Sequence, residues 1–329
     1  MDIVVLCGGL SAERDVSLST GAMASAALRR LGHRVYTLDL FLGTEVPEDA
    51  VISDSAPDLD ALRASRPGNS RVGERVFDLC RAADIVFMAL HGEDGEDGKI
   101  QAAFDLLGVK YTGTGSLGSA LAMNKSVTKQ LFREHGILTP RGTVVNRRDA
   151  VPENIGFPCV VKPCSGGSSV GTSVVYGESG YADALEAAFR YDDDAIVEQY
   201  ISGRECDVGV LAGRALPAIE IRPEGGFYDY KNKYQAGMAT EICPADFPPE
   251  ITKKLLRTAE DVFRTLLLEV YARMDFIVSE SGEIYCLEGN TLPGLTPTSL
   301  LPQEAAAVGL GYDALIDTIL HESLKKYGG

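Results

Sequence analysis

A continuous apolar run that stops on two glycines opens this chain: Ile3–Cys7, then Gly8-Gly9. Without polar alternation, such a run suits a strand buried on both faces, and strands of that kind belong to parallel sheets covered by helices. Ser17 to Leu31 follows with helical spacing (Leu18, Ala22, Ala26, Leu28, Leu31), and Gly32 is placed to end it. Arg34–Leu38 is the next strand. Strand, glycine turn, helix and strand make a βαβ unit, so the chain is expected to open as an open parallel α/β sheet. Ile85–Leu90 reads as a third buried strand, ending on His91-Gly92, after an irregular Pro-, Asp-, Ser- and Gly-rich excursion over 44–75.

The pattern then changes. A helix over Gln101–Leu107, a short strand over Val109–Thr112 and a glycine-rich stretch from Gly113 to Gly118 mark the end of a first unit, 1–118. A helix over Ala120–His135 is stopped by Ile137-Leu138-Thr139-Pro140. Cys159–Lys162 and Ser173–Tyr176 flank a second glycine loop as a hairpin, and Tyr181–Phe189 and Ala195–Val197 add a helix and a strand to a unit over 119–202. Beyond Gly203 the strands Cys206–Leu211 and Ala215–Ile221 read as antiparallel. A loop over 224–245, a helix Pro249–Glu269 and two strands, Tyr271–Val278 and Ile284–Glu288, fill a third unit, 203–329. The expected architecture is thus an α/β sheet followed by two α+β units.

With 329 residues, several domains are the natural reading. A net charge of −16 argues against nucleic acid as a partner, since phosphates would be repelled over most of the surface. Seven cysteines, without a C-x-x-C pair and mostly inside apolar runs, read as buried free thiols of a reducing compartment. The start lacks a basic, cleavable leader, and the apolar stretches are too short to span a bilayer, so a cytoplasmic protein without a membrane partner is expected.

Five groups of residues could carry chemistry. Gly166-Gly167-Ser168-Ser169-Val170-Gly171 follows a strand ending in Lys162; small residues let backbone N–H groups approach phosphate oxygens, and the hydroxyls add donors. It lacks the G-x-x-x-x-G-K-[ST] order of a P-loop, and a plain flexible hairpin tip is the alternative. Arg273-x-Asp275 and Glu288-x-Asn290 lie on neighbouring strands, where alternation puts each pair on one face. Two carboxylates and an amide oxygen suit Mg²⁺ held against phosphates, with Arg273 beside a developing negative charge; a ladder of cross-strand charge pairs is the alternative. Lys125, Lys162 and Lys233 are candidates for phosphate, and Glu198 and Glu205 for an adenine amine and ribose hydroxyls, although each is by default a solvated charge. Gly8-Gly9 stands at the carboxyl end of a parallel strand, the usual ligand crevice, but without dinucleotide-binding spacing. The acidic turn His91–Gly98 is not an EF-hand by its spacing and otherwise reads as a solvated loop.

Taken in order, these segments resemble the D-alanine–D-alanine ligase family from Ile3 to about Leu320. The pieces that carry the resemblance are Gly8-Gly9-x-Ser11-Ala12-Glu13-Arg14-x-Val16-Ser17, His91-Gly92-x-x-Gly95-Glu96-Asp97-Gly98, Met123-Asn124-Lys125 and Lys162-Pro163. Further pieces are Gly167–Gly171, Phe227-Tyr228-Asp229-Tyr230-x-x-Lys233-Tyr234, Arg273-Met274-Asp275 and Glu288-Gly289-Asn290-Thr291-Leu292-Pro293-Gly294. The resemblance implies an ATP-grasp enzyme for cell-wall peptidoglycan. The carboxylate of one D-alanine attacks the ATP γ-phosphate, and the amine of a second attacks the resulting acyl phosphate. It also implies roles by position. Glu13 anchors the first D-alanine ammonium and hydrogen-bonds with Ser168 and Tyr234; Arg273 and the Gly294 amide form an oxyanion hole. Asp275, Glu288 and Asn290 hold two Mg²⁺ or Mn²⁺ ions. Lys125, Lys162, Ser169 and Lys233 meet the ATP phosphates, and Glu198 and Glu205 the adenine and ribose. Ser299 and Leu300, with His91 nearby, line the second-alanine subsite, the loop over 224–245 closes as a lid, and a homodimer is implied. Tyr234 and Leu300 favour D-alanine as second substrate, D-serine or D-lactate being the alternatives. Gly289 departs from the family's pattern, where a small apolar residue is usual.

Overall fold

The computed structural model describes residues 1–47, 57–66, 68–149, 155–167, 169–223 and 239–328. Ser168, Lys233 and Tyr234 therefore lie outside the described residues, as does most of the expected lid.

The opening apolar run forms β1 (Asp2–Cys7), and β2 (Arg34–Asp39) and β3 (Ile85–Met88) pair with it in parallel, in the order β2-β1-β3. Ile3 to Cys7 are all buried, as the lack of polar alternation requires. The expected strand over Val109–Thr112 shrinks to one parallel bridge, Val86 to Tyr111. The helix Arg14–Arg30 covers β1 and β2 and packs against the helix Tyr312–Lys325 near the far end of the chain. Leu315, Ile316, Ile319 and Leu320, together with Tyr271, Leu292 and Leu301, thus share one core with the opening sheet.

The middle of the chain builds an antiparallel sheet of β4 (Gly142–Asn146), β5 (Cys159–Pro163), β6 (Ser173–Val175) and β7 (Asp194–Gln199), ordered β4-β7-β5-β6. The hairpin of β5 and β6 forms as the glycine loop requires. The helix expected over Ala120–His135 is two: Ser116–Met123 and Lys125–Glu134. Asn124 breaks it, leaving helical geometry (ψ 100) so that its side chain accepts the Val127 N–H as an N-cap.

A second antiparallel sheet holds β8 (Gly203–Leu211), β9 (Arg214–Ala215), β10 (Ile219–Pro223), β11 (Ala239–Ile242), β12 (Tyr271–Ser279) and β13 (Ile284–Asn290). Its order is β11-β10-β8-β12-β13, with β9 on β8. The helix Pro249–Thr265 buries Leu255, Ala259, Val262 and Phe263 against it, ending before the expected Glu269. Gly289 faces this helix: a Cβ there would stand 3.1 Å from Leu266 Cδ1, so the glycine makes room for a leucine. No helix among the described residues is long and apolar enough to cross a membrane.

Candidate active site

Two cavities adjoin where the sheets face each other. The larger, about 510 Å³, has apolar walls from both antiparallel sheets, with Val160 on one side and Ile221, Ile277 and Leu287 on the other. Lys125, Lys162, Ser169, Glu198, Glu205, Asp275 and Glu288 are among its polar groups. A cavity of this size with apolar walls and convergent polar groups suits a small-molecule ligand. The smaller, about 180 Å³, is lined by Glu13, His91, Arg273, Asn290, Gly294, Ser299 and Leu300. Gly167 and Glu288 line both. Every described residue given a catalytic, substrate, ATP or metal role from the sequence therefore lines one cavity or the other.

The wall between them is built by strand register. Arg273 pairs with Asn290 across β12 and β13, and Asp275 with Glu288. Two adjacent cross-strand pairs, spaced by two, put all four side chains on one face. The register then shifts between Asp275 and Phe276, a bulge that lets both Leu287 and Glu288 line the larger cavity. Arg273 grips Asp275 with two hydrogen bonds, Nε to Oδ1 at 2.8 Å and Nη2 to Oδ2 at 2.9 Å. The Asn290 amide lies 3.1 Å from both Asp275 oxygens. Lys125 Nζ stands 3.2 Å from Glu288 Oε2 and donates to the Gly166 carbonyl, tying the glycine loop to the acidic pair. The charge ladder considered from sequence is thus present, but it faces a cavity.

Two residues that sequence reasoning passed over complete the charge pattern. Asp207 on β8, directly opposite Asp275, holds Arg273 Nε from the other side at 2.9 Å. Lys129, only 1 % exposed, lies one helical turn beyond Lys125 and reaches Glu198 Oε1 at 2.6 Å and Thr139 Oγ1 at 2.8 Å. Lys162 holds the other Glu198 oxygen at 2.9 Å. Burial alone would raise the Glu198 carboxyl; Lys129 and Lys162 outweigh it and hold the group below its ordinary value. Burial likewise disfavours the Lys162 ammonium, but Glu198 and Glu288 more than restore it. The signals existed: a charge in the apolar strand Cys206–Leu211, and a second lysine four residues after Lys125.

At the other end, Glu13 precedes the helix Arg14–Arg30 and reaches between two loops. A Cβ on Gly92 would stand 2.9 Å from Glu13 Oε2, and one on Gly167 3.3 Å. Arg14 turns inward instead, pairing with Asp39 and donating to the Gly9 carbonyl at 2.8 Å. Ser17 Oγ accepts the Gly8 N–H at 2.8 Å. The Gly8-Gly9 turn is therefore satisfied by its own fold. Gly294 packs against Ser299, whose hydroxyl also accepts the Thr296 N–H at 3.1 Å. His91 lines the smaller cavity, but both ring nitrogens are engaged, Nδ1 with the Leu292 carbonyl at 2.8 Å and Nε2 with Thr20 Oγ1 at 2.9 Å.

Comparison with known proteins gives one picture over the whole length. Residues 2–114 match the family model described as D-ala D-ala ligase N-terminus, and residues 132–321 the D-ala D-ala ligase C-terminus. The chain is 41 % identical to a D-alanine--D-alanine ligase of Pediococcus pentosaceus, covering 99 % of this chain and 100 % of that one. A solved D-alanine--D-alanine ligase from Bacillus anthracis complexed with ATP superposes with a TM-score of 0.79 at 30 % identity, over 100 % of each chain. The VanG D-Ala:D-Ser ligase from Enterococcus faecalis gives 0.81 at 26 % identity, over 98 % of this chain and 99 % of that one.

Proposed function

This chain belongs to the D-alanine–D-alanine ligase family and joins two D-alanines at the expense of ATP; on that premise we propose that the two cavities divide the reaction between them. The observation that carries this reading is their shared boundary: Glu288 and Gly167 line both, so a γ-phosphate reaching the end of the larger cavity meets a carboxylate in the smaller. In this reading the apolar walls sandwich adenine, with Glu198 and Glu205 on the amine and the ribose. Lys125, Lys162 and Ser169 meet the phosphates, joined by Lys233 from outside the described residues.

Glu13 holds the first D-alanine ammonium and hydrogen-bonds with Ser168 and Tyr234. The D-alanine carboxylate attacks the γ-phosphorus, ADP leaves, and an acyl phosphate results. The amine of the second D-alanine attacks that carbonyl beside Ser299 and Leu300. Arg273 and the Gly294 N–H then face the oxygen on which charge builds, and collapse of the tetrahedral species expels phosphate. No side-chain nucleophile is required; positioning and charge neutralisation do the work.

Asp275 in the larger cavity, Asn290 in the smaller and Glu288 on their shared boundary form an oxygen-rich set, a donor set that suits Mg²⁺ or Mn²⁺. Two bound ions would neutralise phosphate charge there. D-Alanine is the second substrate in this reading, and Leu300 gives that subsite an apolar contact. The proposal extends to three domains (1–118, 119–202 and 203–329), a homodimer, and a cytoplasmic setting. All seven cysteines are free and six are buried, which suits a reducing compartment. Incubating the purified protein with ATP, Mg²⁺ and D-alanine tests the reading. One phosphate per D-alanyl-D-alanine is expected; phosphate release without dipeptide would refute it.

A further inference from the structure

The backbone of Leu292, two residues before Gly294, is gripped at both its N–H and its carbonyl by one distant loop. Its N–H donates to Glu96 Oε1 at 3.1 Å, and its carbonyl accepts from His91 Nδ1 at 2.8 Å. The other oxygen of Glu96 closes on the same loop, accepting the Gly92 N–H at 2.7 Å. Because the Leu292 carbonyl can only accept, His91 must carry its hydrogen on Nδ1, and Nε2 then accepts the Thr20 hydroxyl. Burial lowers the affinity of this ring for a second proton, which keeps it in that neutral tautomer. Neither ring nitrogen is left to touch a substrate.

The gripping loop is itself fixed. Ser11 Oγ donates to the His91 carbonyl at 2.7 Å, and Gln101 Nε2 to the Gly95 carbonyl at 2.6 Å. Gly95 lies so close to Leu90 that a Cβ would meet the Leu90 Cβ at 2.4 Å. The Leu292 side chain is buried in the core of the opening parallel sheet.

We infer that Glu96 and His91 are positioning residues that hold the Leu292–Gly294 turn in place, and thereby aim the Gly294 N–H at the oxygen of the tetrahedral intermediate. This rests on the oxyanion role proposed above for Gly294. The clamp runs from the opening sheet to the strand end that carries Glu288 and Asn290, so it sets the spacing between the Glu13 anchor and the oxyanion donors. A donor aimed before reaction costs no reorganisation in the transition state, whereas a loose one does.

The test uses Glu96→Gln, which keeps the shape but can offer oxygen to only one of the two N–H groups. Four quantities are read: hydrogen exchange of the 291–295 segment, kcat, affinity for ATP, and affinity for a phosphinate analogue of the dipeptide, whose tetrahedral anion mimics the intermediate. The inference expects faster exchange, phosphinate affinity and kcat each lower by about tenfold, and ATP affinity within about twofold. Unchanged exchange overturns the clamp. Faster exchange with unchanged phosphinate affinity overturns its link to Gly294. The underlying oxyanion reading fails separately, if the wild type binds the phosphinate no more tightly than the dipeptide. His91 supplies a second route. His91→Asn keeps a donor where Nδ1 stood and is expected to retain kcat within about threefold, while His91→Ala loses about tenfold. Equal losses in the two variants overturn the role of the ring hydrogen.

Discussion

Two charge clusters, one around Glu198 and one around Arg273, are built from the same chemistry with inverted stoichiometry. Around Glu198, two ammonium groups from Lys129 and Lys162 share one carboxylate, leaving one positive charge in excess. Around Arg273, two carboxylates, Asp207 and Asp275, share one guanidinium. Lys125 and Glu288 form a matched pair between them. A cluster rich in ammonium suits an anionic ligand, and one rich in carboxylate a cationic one. The first faces the cavity assigned to a polyanionic nucleotide, and the second lies where cations and an ammonium are required.

The comparison can be broken most severely at Lys129. Lys129→Met leaves Glu198 with one partner in a dry wall and is expected to cost about 3–5 kcal/mol of stability. Urea unfolding measures this, and a loss below about 1 kcal/mol would show that Lys162 alone balances Glu198. Arg273→Ala attacks the other cluster. Dipeptide formation should fall about 100- to 1,000-fold while ATP affinity stays within about twofold, read by coupled assay and by calorimetry. A parallel loss of ATP binding would mean that the clusters are not separate devices.

Glu96 sharpens the contrast through pH. Burial, with Glu13 adding to it, pushes its carboxyl from 4.5 to about 8, although Arg273 and the N–H donors of Gly92 and Leu292 oppose the rise. The folded state therefore holds this proton where the unfolded chain has lost it, and stability contributed by the protonated form declines as pH rises from 4.5 towards 8. Tyr271 also faces this carboxyl, and His91 remains neutral above pH 6.5. The stability of Glu96→Gln relative to wild type should thus rise between pH 6.5 and 8, by on the order of 1–2 kcal/mol. A flat difference across that window would refute the assignment. A smaller effect concerns the second substrate. With Leu300 offering no partner for a hydroxyl, D-alanine should outcompete D-serine by about 10- to 100-fold, read from product ratios at equal concentrations. The smallest is at Gly289, where Ala must push Leu266 aside by a few tenths of an ångström; a cost below about 1.5 kcal/mol with intact activity is expected from thermal unfolding and turnover.

The strands that carry chemistry were legible because period-two alternation survives in the sequence: Arg273 with Asp275, and Glu288 with Asn290, could be placed on one face without any structure. Lys162 was legible for a related reason, being a charge at the end of an apolar strand. Asn124 was not. The apolar spacing of Ala120–His135 runs through it unbroken, and only its side-chain cap reveals the division. The strand Gly142–Asn146 was missed because three of its five residues are exposed, which blurs any pattern. The clamp was least legible of all. Glu96 sits in a segment whose composition says solvated loop, and the Leu292 amide it buries against is 196 residues away. Partners at such separation are a property of the packed domains, and no local pattern encodes them.

The most direct test of the account follows the oxygen atoms across the shared boundary. With D-alanine labelled in both carboxylate oxygens with ¹⁸O, attack on the γ-phosphate from the smaller cavity must leave one labelled oxygen in the released phosphate for each dipeptide made. Mass spectrometry of that phosphate is predicted to show one ¹⁸O per molecule. Unlabelled phosphate would mean that the carboxylate never meets the triphosphate at Glu288 and Gly167, and the division of labour between the two cavities would be wrong.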